Sequence, residues 1–88
     1  MKGSHDVALK QRLKELIVTE ADKELPPASI TDDEGLFGPD SHLQLDSIDG
    51  LQISMALQQQ FGARITDPKQ LVRIMRSINT LADHLQPA

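Results

Sequence analysis

The chain has 88 residues, enough for one small domain with a modest core, and carries nine Lys+Arg against thirteen Asp+Glu for a net charge of −4. That balance, with two Phe as the only aromatics, argues against nucleic acid and anionic membrane as partners, because both select a basic footprint and single strands also need stacking platforms. The absence of cysteine excludes a disulfide framework, a thiolate nucleophile and a Cys-based zinc site, and apolar runs of only a few residues leave no membrane insertion and a soluble, cytoplasmic reading.

In chain order, residues 1–5 read as a frayed start with no assigned role. From Asp6 to Ala21, Leu9, Leu13, Leu16 and Ile17 recur at helical spacing, with Ser4 or Asp6 as the cap. Pro26-Pro27 bars any continuation of that helix. A long loop follows to Asp46, rich in Pro, Gly and Asp, with Ile30, Leu36, Phe37, Leu43 and Leu45 spaced along it; these predict a loop pinned to a core and therefore ordered. Ser47 to Phe61 is the second helix, closed by Gly62. Asp67-Pro68 starts a short third helix bearing Leu71, Val72 and Met75, and Ser77 caps a fourth bearing Ile78, Leu81, Ala82 and Leu85 before Pro87. The fold class predicted is all-α: a small antiparallel four-helix bundle over residues 6–86, with a long loop between helices 1 and 2 and a short third helix.

The net charge conceals a segregation. Residues 1–19 and 50–88 each sum to +2, whereas residues 20–49 hold nine acids against Lys23 alone, or −8. Such a block either steers a basic partner or is a solvated loop.

The second helix carries the chemistry. At roughly 100° per residue, Ile53, Leu57 and Phe61 project to one side with Gly50 and Ser54, and Ile48, Leu51 and Met55 to nearly the opposite side beside Gln52. A helix in so small a bundle needs one apolar stripe, so the second is either further core or a docking surface. Ser47 stands where the helix begins. It is either the N-cap or, if Asp46 caps, a free hydroxyl at a helix end that favours phosphate. A hydrolase is disfavoured, since His42 is the only nearby base in sequence and no G-x-S-x-G elbow surrounds Ser47. His5, His42 and His84 lack paired ligand spacing, so no metal site is expected.

Asp46-Ser47-Ile48-Asp49, followed by Leu51, Met55-Ala56-Leu57 and Phe61, closely resembles the D-S-L-D…M-A-L…F signature of acyl carrier proteins, and the order of helices extends the resemblance over most of the chain. The resemblance implies a monomeric, non-catalytic carrier whose Ser47 is esterified with 4′-phosphopantetheine drawn from coenzyme A by a phosphopantetheinyl transferase. Cargo would ride as a thioester to partners such as an acyl-loading ligase or transferase and ketosynthase-type enzymes. It further implies partner recognition by Asp46, Ile48, Asp49, Leu51, Gln52 and Met55. Ile53, Leu57, Phe61, Leu71, Met75 and Leu81 would then form an acyl-chain pocket.

The chain departs from the fatty-acid-synthesis members where Gln52, Gln58, Gln59 and Gln60 replace the Glu residues they use in recognition. Loss of charge there weakens long-range steering and points to a specialised fatty-acid, polyketide or lipid-type pathway rather than the housekeeping one. A D-alanyl or peptidyl carrier is an alternative within the family. Outside it, the alternative is a helical interaction module in which Ser47 is only a cap. Gly50, inside the first turn at a cost of about 0.5–1 kcal/mol relative to Ala, implies the close approach of a partner, a local kink or mere tolerance near a helix end.

Overall fold

Asp6 starts the first helix. In the computed structural model, which describes residues 1–87, its carboxylate accepts the Leu9 N–H at 3.1 Å and α1 runs from Val7 to Glu20. The helix ends before the prolines are reached. Asp22 adopts φ +53°, and the N–H groups of Asp22 and Lys23 return to the carbonyls of Thr19 and Val18 at 3.3 and 3.1 Å. This left-handed stop satisfies carbonyls that the last turn would otherwise leave open, and Asp is among the few non-glycine residues that tolerate it.

α2 spans Ser47–Phe61 and ends at Gly62, whose φ of +71° is free of strain only without a Cβ. α3 spans Pro68–Ile74, capped by Asp67 through the Lys69 N–H at 3.0 Å. α4 spans Ile78–Leu85, capped by Ser77 through the Thr80 N–H at 3.2 Å. α1 packs on α2 and α4, and α3 closes against α2 and α4, giving the expected all-α bundle of four helices with a long loop after the first.

Each helix turns one face inward: Leu13 and Ile17 from α1, Ile53 and Leu57 from α2, Leu71 and Ile74 from α3, Ile78 and Leu81 from α4, all buried. On α3 the inward set is Leu71, Ile74 and Met75, the i, i+3, i+4 spacing of one helix face, so Val72 lies outside at 52% exposure. The long loop adds Ile30, Leu36, Leu43 and Leu45 to the same core, all essentially without solvent contact. Its backbone is tied by Leu45 N–H to Leu36 O at 3.2 Å and Gly38 N–H to Leu45 O at 3.1 Å, a single parallel bridge between Phe37 and Leu45. Asp32 fastens the loop to the bundle: its two carboxylate oxygens take Lys10 Nζ and Lys14 Nζ, each at 2.8 Å, and its carbonyl accepts the Asn79 N–H at 2.9 Å.

Residues 1–5 differ from the frayed start expected of them. Gly3–His5 form a 3-10 turn against α4, with Gly3 N–H donating to Gln86 O at 2.7 Å and Ser4 N–H to Asp83 Oδ1 at 2.8 Å. A Cβ on Gly3 would collide with the Ala82 carbonyl, so the turn docks because the residue is glycine.

The hydrogen bond from Lys10, and next that from Lys14, hold the Asp32 carboxyl below its ordinary range against the opposing effect of burial. Ionised Asp32 therefore favours the folded state: its contribution is complete above the unfolded carboxylate value of about 3.9 and is lost as pH falls through the lowered folded value. Asp32→Asn is expected to melt at lower temperature than the parent near neutral pH, with the difference closing in strong acid. Thermal melts across that pH range check this.

Candidate functional site at the head of helix α2

Which residue caps α2 decides what Ser47 is free to do. Asp46 has extended backbone, φ −114° and ψ −175°, and its carboxylate accepts the Asp49 N–H at 2.9 Å. The Asp49 carboxylate accepts the Asp46 N–H at 3.1 Å in return, completing a reciprocal box. Asp46 is therefore the cap, and Ser47 is the first helical residue. Ser47 is exposed, and its hydroxyl has no hydrogen-bond partner among the described residues.

The same box redistributes charge. The Asp46 carboxyl is held below its ordinary range by the Asp49 N–H first, then by the Ile48 N–H, with Lys23 adding a weaker attraction from farther away. The positive end of the α2 dipole is thus already met by Asp46 and Asp49, so the helix end is not an open phosphate cradle of the kind the sequence suggests. His42 is engaged elsewhere: its Nδ1 lies 3.5 Å from Glu34 Oε1 within the loop.

The outward stripe is open to solvent. Ile48, Leu51 and Met55 are 65%, 59% and 57% exposed, so they are surface and not a second strip of core. Asp46 and Gln52 are exposed on the same helix end, and Asp49 is half-buried by its capping bond. The six residues expected to form a recognition surface therefore lie together along the first three turns of α2 and its cap.

The six expected pocket residues are divided. Ile53, Leu57, Met75 and Leu81 are fully buried in the packed core. Phe61 sits half-buried at the far end of α2 with the Arg12 guanidinium 4.8 Å from its ring centroid, in a separate cleft of about 310 Å³. Only Leu71 comes near Ser47, where it lines a groove of about 280 Å³ between α2 and α3 together with Leu51, Ser54, Ile65 and Pro68. Ser47 itself opens onto this groove, and Thr66 and Asp67 add polar edges.

Of the α3 side of the groove, the sequence singles out only Leu71 as a site residue. Asp67-Pro68 reads there as a helix start and nothing more; the further signal available is Ile65, a large apolar residue between the Gly62 stop and that start. At Gly50 the close approach is made within the chain, by Phe37 and Leu71, and not by a partner. Gly50 is buried, and a Cβ there would lie 3.1 Å from Phe37 Cε1 and 3.3 Å from Leu71 Cδ2.

A free, exposed hydroxyl beside a groove with apolar walls and polar edges suits a flexible covalent arm that carries both amides and an apolar end. Among the described residues no three His, Asp or Glu gather as they would around a metal ion. No helix there is long and apolar enough to cross a membrane. Residues 11–85 match the family described as the phosphopantetheine attachment site. The match takes in α2, α3 and α4 whole and α1 from Gln11 onward, and the chain belongs to this family of carrier domains, the site of covalent 4′-phosphopantetheine attachment. No curated protein and no solved structure matches the chain.

Removing the cap tests the assignment of Asp46. Asp46→Ala is expected to destabilise the fold by about 1 kcal/mol, and Asp46→Asn to recover most of that loss, because an amide oxygen still accepts the Asp49 N–H. Urea unfolding followed by circular dichroism measures both.

Proposed function

We propose that Ser47 is the attachment residue and that the chain carries acyl groups of a specialised fatty-acid, polyketide or lipid-type pathway between partner enzymes. The observation that carries this reading is the division of labour at the head of α2: Asp46 caps the helix, leaving the Ser47 hydroxyl exposed and unbonded within a matched attachment family. When bound, the arm supplies a terminal thiol that holds cargo as a thioester on a chain with no cysteine of its own.

The chain's own part in attachment is to present Ser47 Oγ. An Oγ–P bond forms as the pyrophosphate link of coenzyme A breaks, the adenosine bisphosphate portion leaves, and the hydroxyl proton passes to a base on the transferase. That base belongs to the transferase because no His or carboxylate among the described residues hydrogen-bonds the Ser47 hydroxyl. The chain is in this sense a substrate of other enzymes.

Partners, by this reading, are the phosphopantetheinyl transferase, an acyl-loading ligase or transferase, and ketosynthase-type enzymes. Ile48, Leu51 and Met55 offer them exposed apolar area at a fixed distance from Ser47. Asp46 and Asp49 offer charge only at the cap. Gln52, Gln58, Gln59 and Gln60 offer hydrogen bonds without charge, so association should depend on salt less than it would for a helix lined with Glu.

Incubation with coenzyme A and a promiscuous phosphopantetheinyl transferase is expected to raise the intact mass by one phosphopantetheinyl group, with no gain in Ser47→Ala. A gain that persists in Ser47→Ala rejects Ser47 as the site. Met55→Glu is expected to melt within about 0.5 kcal/mol of the parent, as surface substitutions do. It should nevertheless slow loading by a cognate partner at least tenfold; unfolding of that variant would instead mark the outward stripe as core.

A further inference from the structure

One face of α3 belongs neither to the groove nor to the core. Leu71, Ile74 and Met75 point inward, so Lys69, Val72 and Arg73, spaced i, i+3 and i+4, share the opposite side, and all three are exposed. Arg76, just past the helix end, joins them: it is exposed and lines a cleft of about 190 Å³ with Val72, the half-buried Phe37 ring, Leu36 and Gly35. None of the three cations forms an ion pair among the described residues. The neighbouring acids are committed elsewhere. Asp67 accepts the Lys69 N–H as the α3 cap, and Glu34 turns to the Thr31 N–H and hydroxyl and to His42. The helix dipole accounts for Arg73 and Arg76 at the C-terminal end of α3, but not for Lys69, which sits in the first turn where a cation is disfavoured.

We propose that this face is a docking surface for a partner enzyme with an acidic patch: carboxylates on the partner meet Lys69, Arg73 and Arg76, and an apolar side chain among them seats against Val72 and Phe37. The assignment rests on the reading of the chain as a carrier with its arm on Ser47. Pro68 and Leu71 of the same helix line the groove onto which Ser47 opens, so an enzyme that receives the arm there is beside this face. Charge complementarity selects a compact acidic protein patch over an extended anionic surface. A membrane or nucleic acid broad enough to cover α3 would also meet the loop of residues 20–49, which sums to −8 and whose Gly35 to Phe37 stretch walls the same cleft. Three cations around one apolar residue match instead a patch of a few side chains. α2 and α3 then divide recognition: beyond its cap α2 presents an uncharged stripe, and α3 supplies the positive charge.

The test uses the full chain, isotopically labelled and carrying the arm, with attachment read first from the intact mass. The probe is a synthetic helical peptide that sets Glu residues around a single Leu. It is expected to shift the amide signals of Lys69, Val72, Arg73 and Arg76, and the same peptide with Lys in place of Glu to leave them unmoved. Lys69→Glu/Arg76→Glu is expected to weaken peptide binding about tenfold, and to raise KM for acyl loading by a cognate enzyme by a similar factor with kcat retained. Arg76→Gln should lose a smaller part of both and covers the case in which the double variant does not fold. Peptide affinity or loading KM equal in parent and variant overturns the proposal with Ser47 untouched. So do α3 signals that respond to vesicles of phosphatidylglycerol and phosphatidylcholine but not to the acidic peptide. Absence of the mass gain in the parent, or its persistence in Ser47→Ala, overturns the attachment reading on which the proposal rests.

Discussion

The grip of α1 on Asp32 sets the position of nearly everything that matters at the site. α3 and α4 have only seven and eight residues, too few to enclose a core by themselves. The loop between α1 and α2 makes up the deficit by inserting Ile30, Leu36, Leu43 and Leu45. Burial of four such side chains at about 1.5–3 kcal/mol each far outweighs a partly exposed ion pair, whose ordinary worth is about 0–1 kcal/mol. The ion pairs of Asp32 with Lys10 and Lys14 therefore contribute registration more than energy. They fix where the loop crosses α1, while the Asn79 N–H fixes the same residue to the first turn of α4. With both ends of that crossing held, Phe37 pairs with Leu45 and its ring is carried to Gly50.

This grip also changes the meaning of the acidic middle of the chain. Much of its −8 is committed within the molecule: Asp32 is matched by two lysines, Glu34 faces His42, and Asp46 and Asp49 cap α2. What remains free on the loop, Asp33 and Asp40 among others, is a solvated surface. The charge nearest Ser47 is thus structural first, held in fixed orientation by backbone N–H groups, and available to a partner second. A phosphodiester on Ser47 would join two carboxylates and not an empty helix dipole. Cationic groups approaching that end of the molecule then meet three negative charges in one place.

Local signals in the sequence carried the helix boundaries well, because caps and stops are short-range chemistry. Gly62, Asp67 and Ser77 act where their residue types place them, and α2 runs from Ser47 to Phe61 as its pattern requires. The two stripes of α2 were equally plain, but which of them faces solvent depends on what packs opposite, and that no local pattern contains. The same limit explains the rest. Asp46 and Ser47 are both good caps, and only backbone dihedrals separate them. α1 ends at Glu20, where the apolar spacing places its end, but the left-handed Asp22 that makes the stop is not announced by composition. The Gly3 turn docks on Asp83 and Gln86, some eighty positions away, and the second wall of the groove belongs to α3.

Gly50 shows how such long-range demands become compressed into one helical turn. Five consecutive residues, Asp46 to Gly50, point in successive directions around the start of α2, and each answers to a different neighbour. Asp46 and Asp49 close the cap on each other, Ser47 faces the groove, Ile48 stands largely in solvent at the groove's rim, and Gly50 yields its place to Phe37. A side chain at position 50 would gain helix propensity of about 0.5–1 kcal/mol, but would press on three atoms of Phe37 and Leu71 at 3.1–3.3 Å. Moving that ring would in turn disturb Leu36 and Leu45 beside it in the loop, the two residues that bring the chain back to Asp46. The weak helix former is retained because the loop, the cap and the serine are mechanically one unit, and glycine is the residue that lets the loop reach the helix.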